Sequence, residues 1–244
     1  MPKNKQGVIK KNNSELFKPG VKSSTSSTLL VTFGGCALKA GGILPFEFLG
    51  VLSKEYPGHD SYFFIDKNMC WYNQGIQDIS TCVSSTAEYL STKIKGYDKV
   101  VFIGGSAGGY AAILFGSLLN VDHVVAFNPQ TDLKHVSKYY KTRYNWSKVV
   151  PEYEDIIPYL NDTTIYGVYT QEKNHKNDMI HHRHHSDRLK ELEMENMFVK
   201  KVHLGMKGLR DSGELTEIIS NHVFGEIDAF IHEEEPEDTV CACS

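Results

Sequence analysis

A chain of 244 residues, 41% hydrophobic and 23% charged, has the size and composition of one soluble globular domain rather than a disordered or fibrous chain. Its net charge of −4 gives no overall electrostatic attraction for nucleic acid, and no apolar run approaches the length of a membrane span. Five cysteines, odd in number and without disulfide or metal spacing, read as reduced thiols.

Residues 1–27 are rich in Lys, Asn and Ser and show no periodicity, so they are expected to form a flexible basic arm. No apolar stretch follows the first lysines, which points to a cytoplasmic protein. From residue 28 to 232, apolar runs recur at intervals that suit alternating strands and helices. The expected strands are Leu29 to Phe33, Tyr62 to Ile65, Val100 to Ile103, His123 to Phe127, Thr164 to Tyr169 and Phe198 to His203. This alternation predicts an α/β domain with a doubly wound, mostly parallel six-stranded sheet, whose chemistry lies at the carboxyl ends of the strands.

The longest connection, about residues 131–162, carries Tyr139, Tyr140, Tyr144, Trp146, Tyr153 and Tyr159. It reads equally as a helical lid whose aromatic faces, Trp146 among them, meet a substrate, or as a surface insertion packed on the body. Residues 233–244 form an acidic tail. Its last four residues, Cys241 to Ser244, formally match a prenylation box, but the acidic residues upstream argue against that use.

The third strand runs into Gly104-Gly105-Ser106-Ala107-Gly108, the G-x-S-x-G pattern of a serine presented on a sharp strand-to-helix turn. Glycines around Ser106 relieve the clashes of such a turn, and the small and apolar residues Ala111, Ile113, Leu114 and Phe115 suit a helix packed closely on a sheet. A glycine-rich turn that only packs, or holds a phosphate, would share the pattern. No Gly-Lys-Ser/Thr follows to make it a phosphate loop.

A serine hydroxyl needs a base to take its proton and an acid to orient that base, in the chain order serine, acid, histidine. His203 closes the last expected strand and is the preferred base. His222, at helical spacing after Leu215, Ile218 and Ile219, is its rival. Asp178 is preferred over Glu172 as the acid, and Asp178 also suits a helix N-cap. The oxyanion donors are expected to be the N–H of Ala107 and that of Gly35 or Cys36. His175, His181, His182, His184 and His185 crowd one stretch, but no H-E-x-x-H glutamate joins them, so a solvated helix face is preferred to a metal site.

With these residues assembled, the chain resembles the α/β-hydrolase superfamily from about Leu29 to Phe224, and more narrowly a bacterial α/β-hydrolase-like group associated with surface-polysaccharide genes. The resemblance is carried by Val31 to Gly35, Ile65 to Gly75, Gly104 to Gly116, Ala126 to Gln130 and Leu209 to Leu215. It implies Ser106 as nucleophile and His203 as base, and it places Asp66, Trp71 and Tyr72 near the pocket mouth as substrate-binding residues. It further implies a reduced sheet, because the polar residues before Leu29 do not read as the superfamily's first two strands.

The expected activity is that of a serine hydrolase of carboxylic-ester type, acting through an acyl-enzyme on Ser106, with a small-molecule or carbohydrate acyl substrate. Acyl transfer by the same residues, or a non-catalytic binding protein of the same fold, are the alternatives. No metal or organic cofactor is required by that chemistry. No nucleic-acid or membrane partner is expected, and the oligomeric state is not legible.

Overall fold

The computed structural model describes residues 9–10, 13–21, 27–36, 45–136, 151–171 and 176–225, with the backbone alone described for 9–10 and 176–182. Trp146 and Glu172 lie outside the described residues, as do residues 137–150 of the expected lid and the whole acidic tail. All six expected strands are present: β3 (Thr28–Phe33), β4 (Asp60–Phe64), β5 (Lys99–Gly105), β6 (His123–Phe127), β7 (Ile165–Gln171) and β8 (Met197–Val202).

Two further strands correct the expectation of a sheet lacking its first two. β1 (Ile9–Lys10) and β2 (Glu15–Lys18) fall within the stretch read as an arm, and the sheet has eight strands in the order β1-β2-β4-β3-β5-β6-β7-β8. β2 runs antiparallel to both β1 and β4, while β4, β3 and β5 to β8 are parallel. β2 has only two apolar residues, too few for a sequence signal, and both are used. Leu16 enters the core and Phe17 packs on Tyr62 with ring centroids 4.6 Å apart. Its one carboxylate, Glu15, is buried and accepts the Tyr89 hydroxyl at 2.8 Å.

Because successive side chains on a strand point to opposite faces, each parallel strand feeds two cores. Val31, Phe33, Phe64 and Phe102 face one layer, covered by α2 (Val83–Ile94) and α3 (Ala107–Leu119). Leu30, Phe63, Val101 and Ile103 face the other, covered by α1 (Leu49–Glu55), α5 (Met206–Ser212) and α6 (Glu214–Phe224). The remaining helix, α4 (Lys176–Lys190), packs against β7 and β8. No helix among the described residues is long and apolar enough to cross a membrane.

Strand order reverses at β3. The chain leaves β3 toward β4 on one side and returns to β5 on the other, opening a crevice at their carboxyl ends. Phe33 is in register with Gly104, so the loop after β3 and the turn after β5 meet there.

His222 proves to be a core residue rather than a rival base. It is fully buried in α6, its ring stacked on Phe198 and its Nε2 3.1 Å from the Tyr169 hydroxyl, with its Nδ1 3.4 Å from His123 Nδ1. Burial drives both imidazoles toward the neutral form, His222 to about 3 and His123 to about 4. A group protonated in the unfolded chain but not in the native one makes stability fall as pH drops below the ordinary histidine value. Stability measured by urea denaturation is therefore expected to decline from about pH 6.5 toward 4, each histidine contributing up to ~1.4 kcal/mol per pH unit. In His222→Leu the remaining slope should be shallower, whatever the change in absolute stability.

Candidate active site

Ser106 sits between the end of β5 and the start of α3, exposed, with φ 55° and ψ −120°. A non-glycine residue holds such a conformation only where its surroundings impose it. Here the Ser106 N–H donates to the Phe127 carbonyl of β6 at 2.8 Å, and the Ser106 carbonyl accepts from the Tyr110 N–H of α3 at 3.0 Å. Strand and helix thus each hold one end of the same residue.

The two glycines of the motif make that turn possible by close approach. A Cβ on Gly104 would overlap the Gly108 carbonyl, and one on Gly108 would overlap the Phe33 carbonyl. Only bare backbone lets the first turn of α3 press against β3 and β5 at once. The first turn of α3, whose N–H groups have no partner within the helix, therefore begins at Ser106 itself.

The loop after β3 supplies the opposite wall. The Gly34 N–H is used by the sheet, donating to the Phe64 carbonyl at 2.9 Å. At Gly35 a Cβ would fall 2.9 Å from the Gly105 carbonyl and 3.7 Å from Ser106 Cβ, so the backbone of this loop touches the serine turn directly. Cys36 follows, buried, its sulfur taking a hydrogen bond from the Trp71 backbone. Burial and the nearby carboxylates push its thiol well up. Cys36 is therefore a protonated packing group.

Beneath the serine lies a brace built on Asp66. This carboxylate is buried and accepts the backbone N–H groups of Asn68, Cys70 and Tyr72 at 2.9, 2.7 and 2.9 Å. Desolvation raises its pKa, against the pull of those three donors. The loop it organises bends through positive φ at Met69, Trp71 and Tyr72. Trp71 Nε1 donates to Gln130 Oε1 at 2.9 Å, and Gln130 Nε2 donates to Ser106 Oγ at 3.3 Å. The Tyr72 hydroxyl donates to the Gly34 carbonyl at 2.9 Å. Asp66, Trp71 and Tyr72 are all buried. They hold the serine through one arm, Trp71 and Gln130, and the glycine loop through the other, Tyr72.

Gln130 is the site residue that sequence reasoning missed. A buried glutamine directly after Asn128-Pro129, at the end of the Ala126 to Gln130 block, has no chemical role written in the sequence, and only its contacts with Trp71 and Ser106 reveal its place. Its amide orients the hydroxyl but has no basic nitrogen, so it cannot take the proton.

His203 lies just beyond β8, exposed, beside Tyr169, Phe198, Glu214 and Glu217. β8 stands three strands from β5, about 14 Å at the usual spacing. Ser106 Oγ is hydrogen-bonded to Gln130. Asp178 falls in the first turn of α4, and its side chain lies outside the described residues.

A cleft of about 490 Å³ opens beside the elbow, lined by Phe46, Glu47, Phe48, Met206, Lys207 and Arg210 among others. Glu47 links it to the serine, since its carboxylate would lie 3.5 Å from a Cβ at Gly35 and 3.7 Å from one at Gly105.

No protein-family model and no curated protein matches the sequence. Solved structures do match. A capsule O-acetyltransferase of Neisseria meningitidis serogroup A superposes with a TM-score of 0.60 at 14% identity, over 87% of this chain and 93% of that one. A fluorophosphonate-binding serine hydrolase of Staphylococcus aureus gives 0.58 at 10% identity, over 85% and 91%. An α/β serine hydrolase without a lid from Xanthomonas campestris gives 0.50 at 11% identity, over 91% and 90%. With the strand order above, these likenesses establish an α/β-hydrolase fold.

Gly108→Ala should be poorly tolerated, because its Cβ would meet the Phe33 carbonyl. Gly50→Ala, in α1 where an added Cβ meets nothing within 4 Å, should be stabilising by about 0.5–1 kcal/mol. Thermal unfolding of both variants checks the contrast.

Proposed function

We propose that the protein is an acyl-handling serine enzyme in which Ser106 attacks an ester or related acyl linkage and carries the acyl group as a covalent intermediate. The observation that carries this reading is the backbone of Ser106: exposed, held at φ 55° at the head of α3, and flanked by the Gly35 loop. Strain of this kind is retained where a side chain must be presented to a reaction.

In the proposed mechanism a histidine takes the hydroxyl proton as Oγ forms its bond to the acyl carbon, and the carbonyl electrons move onto oxygen. The N–H of Ala107, with that of Gly35 or Cys36, receives the oxyanion. Collapse expels the leaving alcohol, protonated by the same histidine, and water or another hydroxyl then releases the acyl group. His203 is assigned as the base and Asp178 as the acid that orients it. The support is topological: each follows a strand, β8 and β7, whose carboxyl end is on the same side of the sheet as Ser106. The alternative histidines of the core, His123 and His222, are buried and held neutral by their surroundings. His203 must swing inward to act, as catalytic hydrogen bonds often tighten only when substrate binds.

Transfer to an acceptor other than water is a second reading. It is favoured by the cleft beside the elbow, where the apolar Phe46, Phe48 and Met206 meet the cationic Lys207 and Arg210. Such a lining suits an acyl donor with an anionic carrier, and a carbohydrate hydroxyl is the proposed acceptor. Incubation with an acyl thioester and an oligosaccharide separates the two, yielding acylated sugar in one case and free acid in the other.

A fluorophosphonate probe should label the wild-type protein and fail to label Ser106→Ala, as read by intact-protein mass spectrometry. His203→Ala should slow labelling by about 10²–10⁴-fold. Equal labelling of Ser106→Ala, or none of the wild type, would leave a non-catalytic protein of this fold. An unchanged rate in His203→Ala would remove His203 as the base.

A further inference from the structure

The histidine-rich stretch of α4 meets a partner that lies far away in sequence. After β6 the chain passes Gln130 and forms a single 3-10 turn, Leu133–His135, whose N-cap is Asp132. Residues three apart eclipse one another in such a turn, so Asp132 and His135 project on the same side. One oxygen of Asp132 accepts the Lys134 N–H at 2.8 Å, and the other lies 2.6 Å from His135 Nδ1. His184 of α4 closes the group, its ring centroid 4.5 Å from that of His135. A donor atom from each of the three lies within 4.8 Å of the other two.

The placement is built by its surroundings. The next residue, His185, is buried with its Nδ1 3.1 Å from both the N–H and the hydroxyl of Thr131. One turn further on, Arg188 donates to the Thr131 hydroxyl at 3.1 Å and to Asp155 at 2.6 Å. These contacts fix α4 against the 131–135 segment and give the guanidinium its own carboxylate. His184 Nε2, by contrast, is buried with no hydrogen-bond partner among the described residues. A simple Asp132–His135 ion pair accounts for neither His184 nor its unused nitrogen.

We propose that Asp132, His135 and His184 bind a divalent transition-metal ion, zinc or a first-row relative. Two imidazoles and one carboxylate suit zinc, cobalt or nickel, whereas magnesium and calcium prefer oxygen ligands throughout. The ion would tie the loop after β6 to α4, two residues from the Gln130 that holds Ser106. Its role there is to brace the site, and it is independent of the serine reading.

The test uses the full chain, freed of metal by chelation and dialysis, titrated with zinc in a calorimeter and with cobalt while the visible ligand-field bands are followed. One ion per chain is expected, with cobalt bands of low-symmetry nitrogen–oxygen coordination and a zinc-dependent rise in Tm. His135→Ala, an exposed position that should not disturb folding, and His184→Ala should each raise Kd at least about tenfold and abolish the Tm rise. A double variant, His181→Ala with His182→Ala, should bind as wild type does. No binding, or binding weakened by the double variant but not by His135→Ala, would overturn the site in favour of adventitious capture by a histidine-rich helix.

Discussion

Everything at the candidate site depends on one close approach, that of the first turn of α3 to the carboxyl ends of β3 and β5. No atom separates Gly104 from Gly108, or Gly108 from the Phe33 carbonyl, that a methyl group could replace. This contact forces Ser106 out of both strand and helix geometry and leaves its side chain exposed at the crevice where strand order reverses. It also sets the helix N–H groups beside the Gly35 loop. An ordinary strand-to-helix turn would present neither the hydroxyl nor the donors.

The strain is held by a second device, the Asp66 carboxylate. Burying an ionisable group is unfavourable unless its hydrogen-bonding capacity is met, and three backbone N–H groups meet it here. The organised loop sends Trp71 to Gln130 and Tyr72 to Gly34, so one buried group governs both walls of the crevice. Its partners lie on loops after β3, β4 and β6, brought together because those strands end on the same side of the sheet.

Much of this was legible in the sequence, and the misses share a cause. Continuous apolar runs located the central strands because parallel strands buried on both faces tolerate nothing else. β2 escaped notice because a short antiparallel strand next to the sheet's edge needs only two apolar side chains, Leu16 and Phe17, to join the core. The G-x-S-x-G pattern announced its turn because sterics at Gly104 and Gly108 admit no other residue. Gln130 ended one of the blocks that carry the resemblance but announced no role, since a glutamine becomes a site residue only through its neighbours. His222, which resembled a base in linear order, turned out to be a core residue, stacked on Phe198 and edge-on to His123.

By itself the sequence determined what local sterics and periodicity govern: six of the strands, the turn at Ser106, and the glycine loop that faces it. Tertiary structure alone decided which distant side chains meet. It buried Asp66 among three backbone donors, set Gln130 against the serine and drew Asp132, His135 and His184 together. The reason is physical. Backbone conformation answers to neighbours a few residues away, whereas a hydrogen bond or a donor cluster depends on strand order and helix docking that only the complete fold supplies.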